Sequence, residues 1–305
     1  MKSFLNLIRW KNLLFIAITQ LLIKFVFFEN MGAETMLNNI EYALLIFVNI
    51  ALAAAGYIIN DLNDVKADNI NKPHKSYIDK GISEKLAFNW FLIFNISAVL
   101  IGFYLANIIG YPAFAALFIM CSALLYIYST YLKFVPLAGN IAVSLMVGGV
   151  AILPGIFDLL PAITPLNQEK QAFLFFTLLD YAIFAFLVNL LREMVKDQED
   201  IKGDYNVGIN SLPILLGHSR TNKIIFTIGI LPVAALVCYI YNYIFDDTFL
   251  VLYTLILILG PLLYFQIRIL EAKKKKEYTH LSLMLKIILF FGLISIGFHQ
   301  FLLNI

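Results

Sequence analysis

The chain has 305 residues, of which 61% are hydrophobic and only 14% are charged, and its mean hydropathy is +0.84. This balance excludes an ordinary soluble globular domain and indicates a protein of the lipid bilayer. A formal net charge of +2, with no basic patch interleaved with stacking aromatics, gives no reason to expect a nucleic-acid partner.

The apolar residues fall in runs of roughly 20, the length that a helix needs to cross the hydrocarbon of a membrane. The sequence therefore predicts an all-α fold, a polytopic membrane helix bundle that forms one domain over residues 1–305. The expected spans are residues 12–30, 41–60, 87–108, 112–131, 138–157, 171–193, 222–244, 248–267 and 283–303.

Two links between the spans, residues 61–86 and 194–221, are long, polar and rich in both signs of charge. With the N-terminus in the cytosol, all 22 lysines and arginines except Lys24 and Lys170 fall on the cytosolic side. Because basic residues are retained on that side, both links are expected to face the cytosol. The lysine run 273–276 is then ordinary topogenic charge.

Each long link carries aspartates at the spacing i, i+3, i+7, which places three carboxylates on one face of a helix. Like charges in such a stripe repel, so a cation is expected between the two stripes. We call residues 60–68 the first Asp motif and residues 197–204 the second Asp motif. The aspartates are Asp61, Asp64 and Asp68, followed by Asp197, Asp200 and Asp204.

The candidate ligands are all oxygens, which favours a hard ion and argues against zinc or copper. Mg²⁺ fits better than Ca²⁺ if phosphate oxygens and water complete its coordination. Positive side chains nearby are what a diphosphate, rather than a bare metal site, requires. These are Lys72, Lys75, Lys133, Arg192 and Lys196.

Three other interpretations explain less of the sequence. Solvated cytosolic loops would not repeat one carboxylate spacing in the only two long links. A secondary transporter would carry ionisable residues near the middle of the membrane, whereas the predicted span interiors hold almost none beyond Lys24 and Asp180. A Ca²⁺-regulated scaffold would prefer Ca²⁺ to Mg²⁺ and would lack turnover.

Three segments in order resemble one family. NDLNDVKADNINKP and REMVKDQEDIKGDYNVGINSLPILLG are similar to the two Asp motifs of the UbiA-type intramembrane prenyltransferases, and Tyr128 to Lys133 with Asn140 resembles the segment between them. The resemblance covers nearly the whole chain. It implies about nine transmembrane helices around a central cavity that is open to the cytosolic side.

The resemblance also implies the roles of individual residues. The six aspartates would hold two Mg²⁺ ions that the substrate diphosphate bridges. Asp64, Asp68, Lys133 and Arg192 are the expected catalytic residues. One departure is that Lys72 and Pro73, followed by His74 and Lys75, replace the family's Arg-Pro pair. Which of Lys72, His74 and Lys75 contacts phosphate is therefore left open. The expected diphosphate ligands are Arg9, Asn60, Lys72, Tyr128, Lys133, Asn140 and Lys196.

The implied reaction transfers a prenyl group from an isoprenyl diphosphate, geranylgeranyl diphosphate by preference, to an acceptor in the membrane. The stretch from Arg192 to Asp197 is most similar to members that prenylate geranylgeranylglycerol phosphate for ether lipids; an aromatic quinone precursor, 4-hydroxybenzoate or dihydroxynaphthoate, is the alternative. A bacterial or archaeal cell membrane is the expected location. Aromatic rings that could face the allylic cation are Tyr126, Tyr128, Tyr131 and Tyr181.

Overall fold

The computed structural model describes residues 2–65, 78 and 81–298. Within these ranges the chain forms nine helices that are long and apolar enough to cross a membrane, as predicted. They are α1 (Trp10–Phe28), α2 (Asn39–Asn63), α3 (Glu84–Ile108), α4 (Pro112–Thr130), α5 (Ala138–Ala162), α6 (Gln168–Asn206), α7 (His218–Ile244), α8 (Thr248–Glu271) and α9 (Lys275–Phe298).

Several helices begin at polar residues that satisfy their first free N–H groups. Asn38 accepts hydrogen bonds from the backbone of Ile40 and Glu41 at the start of α2. Ser83 caps α3 in the same way, and Asp247 caps α8. These side chains favour a helix start at these positions. They explain why the predicted starts of these spans fall close to the observed ones.

The nine helices pack into a closed arrangement. Helix α2 packs on α3 and α4, α5 packs on α6, and α6 also contacts α7 and α9. Helix α1 packs on α2 and α5, and its Phe15 meets Phe290 of α9 with ring centroids 6.4 Å apart. Glycines allow the closest approaches, since a Cβ at Gly148 of α5 would lie 2.8 Å from the Ala182 oxygen of α6.

Helix α6 differs most from its predicted span. It runs without interruption from Gln168 to Asn206, whereas the span was predicted to end at residue 193. At 1.5 Å per residue its 39 residues reach about 58 Å, close to twice the hydrocarbon thickness. The first part of the predicted second link is therefore a helical extension of α6 that projects beyond the membrane.

The direction of the chain alternates from helix to helix. The start of α1, the end of α2, the start of α5 and the end of α6 consequently lie at one end of the bundle, where both Asp motifs are found. We call this the charged end.

The opposite end contains a buried ion pair. Lys24 Nζ of α1 lies 2.7 Å from Asp158 Oδ2 of α5, and the two side chains are 6% and 0% exposed. Lys24 also donates to Thr35 and to the Leu37 carbonyl, and Asp158 accepts from the Leu37 N–H. Lys24, one of the two charged residues expected inside the spans, therefore belongs to a hydrogen-bonded ion pair and does not mark an ion pathway.

Candidate active site at the charged end

The first Asp motif sits where α2 ends. Asp61 Oδ1 lies 2.8 Å from Arg9 Nη2, and Arg9 stacks over the Tyr57 ring at 4.7 Å. Asp64 Oδ1 lies 2.5 Å from Lys133 Nζ in the link between α4 and α5. Two of the predicted phosphate-binding cations, Arg9 and Lys133, are thus paired with the two described carboxylates of this motif.

The predicted continuous helical stripe through the first motif is wrong. Helix α2 ends at Asn63, and Asp64 is its C-cap with φ −102° and ψ 7°. Asp64 leaves the helical conformation at the point where its carboxylate meets Lys133. The predictions for Asp68, Lys72, His74 and Lys75 concern residues outside those that the structure describes.

Arg9 is held in an unusual backbone conformation. Its φ of 50° and ψ of 51° lie in the left-handed region, which costs about 1–3 kcal/mol in a residue other than glycine. Burial lowers the pKa of the guanidinium, but the neighbouring Asp61 and Tyr57 raise it more, so its pKa is raised overall. Arg9 therefore stays charged. Its left-handed backbone conformation just before α1 places the guanidinium beside Asp61.

The second Asp motif lies on the C-terminal extension of α6. Asp197 Oδ2 accepts a hydrogen bond of 2.9 Å from Asn140 Nδ2 at the start of α5, and the Asp204 charge acts on the same carboxyl. One turn earlier Glu193 Oε1 lies 3.0 Å from Arg192 and 2.7 Å from Lys196. Glu193, which was not predicted as a site residue, therefore pairs with both Arg192 and Lys196.

Tyr128 of α4 lies close to the start of α5, since a Cβ at Gly139 would be 3.2 Å from its ring, and the next residue, Asn140, contacts Asp197. The charges of Glu193, Asp64 and Asp197 all act on the Tyr128 hydroxyl. The two motifs consequently face a common region and do not point apart.

The other three candidate tyrosines lie elsewhere. Tyr126 and Tyr131 are 50% and 64% exposed on the outside of the bundle. Tyr181 bonds Ser295 at 2.7 Å, and its position 16 residues before Asp197 on α6 puts it about 24 Å away along the helix. Of these four rings, Tyr128 is the one placed beside both motifs.

Some polar side-chain atoms of the site are buried and lack hydrogen bonds. Asn60 Oδ1 and Arg192 Nε are buried and have no hydrogen-bond partner within the described ranges. Such atoms are costly to bury and suggest a ligand that completes them. Asn60 offers a free acceptor and Arg192 a free donor, as a hard cation and a phosphate oxygen respectively require.

The described residues include no group of three or more His, Cys, Asp or Glu side chains arranged to hold a metal ion by themselves. Mg²⁺ typically takes one or two protein carboxylates and completes its coordination with phosphate oxygens and water. The oxygen donors of Asp61, Asp64 and Asp197 fit that ion, with cations on hand to contact a diphosphate.

Several residues near the site were not predicted from the sequence. Tyr57 lies one helical turn before Asp61, so the i, i+4 rule could have found it. Glu193 was visible between Arg192 and Lys196. No local signal pointed to Gln198, which bonds Asn222 at 2.7 Å and His218 Nδ1 at 2.5 Å and ties α6 to α7.

Comparisons with known proteins agree with this architecture. A model of the UbiA prenyltransferase family matches residues 26–292. A digeranylgeranylglyceryl phosphate synthase from Pyrococcus abyssi is 32% identical over 234 residues, 76% of this chain and 75% of the relative. The digeranylgeranylglyceryl phosphate synthase of Methanobrevibacter smithii is 29% identical over 241 residues, 78% of this chain and 81% of the relative.

Solved structures share the fold over almost the full length. One of a digeranylgeranylglyceryl phosphate synthase in membranes has a TM-score of 0.67 at 23% identity and covers 98% of both chains. A UbiA homologue from Archaeoglobus fulgidus bound to DMAPP and Mg²⁺ has a TM-score of 0.55 at 14% identity, with 96% of this chain and 98% of that chain covered.

Proposed function

Because the chain belongs to the UbiA prenyltransferase family, we propose that it transfers a geranylgeranyl group from its diphosphate to the glycerol hydroxyl of geranylgeranylglycerol phosphate. The observation that carries the proposal is that carboxylates of both Asp motifs act on one hydroxyl, that of Tyr128, while Arg9 and Lys133 are paired with Asp61 and Asp64. The curated relatives named for this reaction support the choice of acceptor.

The donor diphosphate would bind between the motifs. Asp61, Asp64 and Asp197, with Asp68, Asp200 and Asp204, would hold two Mg²⁺ ions, which would neutralise charge on the diphosphate. Arg9, Lys133 and Lys196 would bind the remaining negative charge of the diphosphate. In the structure they form ion pairs with Asp61, Asp64 and Glu193, respectively. Exchange of one anion for another keeps these cations paired throughout. Polar contacts would come from Asn60, Tyr128, Asn140 and Lys72.

Reaction begins with cleavage of the allylic C1–O bond, and the diphosphate leaves with the electron pair. Charge grows on the leaving oxygens, where fixed cations stabilise it most effectively. Arg192, Lys133, Asp64 and Asp68 are the catalytic residues that we propose. The acceptor hydroxyl oxygen then forms a bond to C1 and loses its proton to water, which gives an ether.

The prenyl chain would lie in a central cavity among the helices, below the diphosphate. The ring of Tyr128 would face the allylic cation, whose positive charge an aromatic face attracts. The chain is an integral, multi-pass membrane protein. We place it as one domain in a bacterial or archaeal cell membrane, with its N-terminus and the charged end in the cytosol.

A panel of acceptors tests this function directly. Purified protein would be assayed with radiolabelled geranylgeranyl diphosphate and Mg²⁺ against geranylgeranylglycerol phosphate, 4-hydroxybenzoate and dihydroxynaphthoate. We expect an ether lipid product from the first acceptor alone. Turnover only with an aromatic acceptor would replace the proposed acceptor by the quinone precursor, and absence of diphosphate release with every acceptor would reject prenyl transfer.

A further inference from the structure

Three basic side chains, with Lys196 beside them, form a corner of the charged end that is separate from the first Asp motif. Arg192 and Lys196 come from α6, Lys286 from α9 and Lys11 from α1. The positive charges of both Arg192 and Lys11 act on the Lys286 ammonium, and Glu193 is bracketed by Arg192 and Lys196. We call Lys11, Arg192 and Lys286 the cation corner.

The cation corner has an excess of positive charge. Lys286 donates to a neutral amide oxygen, Asn12 Oδ1, at 3.1 Å, and the described residues offer it no carboxylate within ion-pair distance. Glu193, the one carboxylate that contacts Arg192, is shared with Lys196, and Arg192 Nε is buried without a hydrogen-bond partner in the described part of the chain. Cations gathered in this way repel each other unless an anion joins them.

A hydrogen-bonded path joins the cation corner to the first Asp motif. Lys286 donates to Asn12, and the other end of the Asn12 amide donates to the Tyr57 hydroxyl at 3.3 Å. Arg9 stacks on the Tyr57 ring and pairs with Asp61. An anion bound at Lys286 would therefore lie beside the proposed diphosphate site, separated from it by Asn12 and Tyr57.

We propose that the cation corner binds the phosphomonoester of the lipid acceptor, with Lys286 as its principal ligand. The inference rests on the proposed function and assigns the part of the acceptor that does not react. A phosphomonoester carries close to two negative charges at neutral pH, which matches the excess here. Holding it at this corner would keep it apart from the donor diphosphate and leave the glycerol hydroxyl to reach C1.

The test measures the two substrates separately in nanodiscs of neutral phosphatidylcholine. Loss of a charge-assisted hydrogen bond predicts that Lys286→Met raises the KM for geranylgeranylglycerol phosphate about tenfold or more. The KM for geranylgeranyl diphosphate should change less than about twofold, and Lys286→Arg should restore the acceptor KM. The matched control is Lys276→Met, a charge on the same helix away from the corner, which should leave both constants unchanged.

Three results would overturn the proposal: an unchanged acceptor KM in Lys286→Met, an equal rise in Lys276→Met, or a larger rise in the donor KM. Repeating the assay with phosphatidylglycerol in the nanodisc separates two sources of phosphate. An effect that arises only with this anionic lipid assigns the corner to bulk headgroups and rejects the acceptor. Wild-type protein that uses no phosphate-bearing acceptor would instead reject the proposed function itself.

Discussion

Three of the described carboxylates that we assign to Mg²⁺ contact a polar hydrogen-bond donor. Asp61 contacts a guanidinium, Asp64 an ammonium and Asp197 an amide N–H. These contacts hold the side chains in place and limit the repulsion that three carboxylates would otherwise feel. When a metal and a diphosphate bind, Mg²⁺ would replace the guanidinium on Asp61 and the ammonium on Asp64, and the diphosphate would replace these carboxylates on the two cations.

The Asp197 carboxylate is expected to be essential at this scale. We predict that Asp197→Ala lowers turnover by about a hundredfold or more, since it removes a ligand from the developing charge. The melting temperature in detergent should change little, because the hydrogen bond to Asn140 is the one described contact that is lost.

The matched control for Asp197→Ala is Asp246→Ala, an exposed aspartate in the link between α7 and α8. It should keep normal turnover, measured as radiolabelled product per minute under saturating substrates. Near-normal turnover of Asp197→Ala would remove Asp197 from the proposed site.

At the scale of elements, the extension of α6 must hold the second Asp motif steady outside the membrane. A buried polar network secures it. Gln198 bonds the Asn222 side chain and the His218 carbonyl, and Asn222 in turn donates to the Ala272 carbonyl at 2.9 Å. The network therefore ties α6 to α7 and to the link between α8 and α9.

Breaking this network should loosen the second motif without touching it. Gln198→Leu leaves buried partners unsatisfied at a cost of about 1–3 kcal/mol each. We predict a lower melting temperature and a higher Mg²⁺ concentration for half-maximal activity. Thr279→Val removes an exposed hydrogen bond to Glu199 on the same extension and should alter neither. An unchanged Mg²⁺ dependence in Gln198→Leu would show that the network does not position the motif.

The buried ion pair between Lys24 and Asp158 allows a test of how strongly α1 and α5 are held together. Lys24→Met leaves Asp158 buried with an unpaired charge and should destabilise the protein by about 3–5 kcal/mol. The double change Lys24→Met with Asp158→Leu should recover much of that loss. Thermal unfolding in detergent measures both. Equal stability of Lys24→Met and wild type would show that the buried ion pair does not stabilise the packing of α1 against α5.

Local sequence signals predicted the elements better than their contacts. Apolar runs located the nine helices, and α3 was expected at 87–108 and is found at Glu84–Ile108. The spacing of the Asp motifs predicted carboxylates at helix ends. It could not predict that Asp64 would leave the helix for Lys133, 69 positions away, because such pairings depend on packing. The roles of the individual site residues remain predictions.

At the scale of the whole molecule, nearly all of the basic residues that the structure describes lie at one end of the bundle with the described parts of both Asp motifs. We therefore predict that a cysteine at Lys276 in a cysteine-free protein reacts with a membrane-impermeant maleimide only after cells are opened. A cysteine at Lys170, at the other end, should react in intact cells. Labelling in the reverse order would place the Asp motifs outside the cell and contradict the proposed orientation.

The central claim is that two motifs far apart in the chain bind one Mg²⁺–diphosphate group together. Calorimetric titration of the purified protein with a non-hydrolysable geranylgeranyl diphosphate analogue, with and without Mg²⁺, tests it most directly. We predict binding that requires Mg²⁺ and is lost both in Asp61→Ala and in Asp197→Ala. Binding of normal affinity after loss of either aspartate, or in the absence of Mg²⁺, would contradict a shared site.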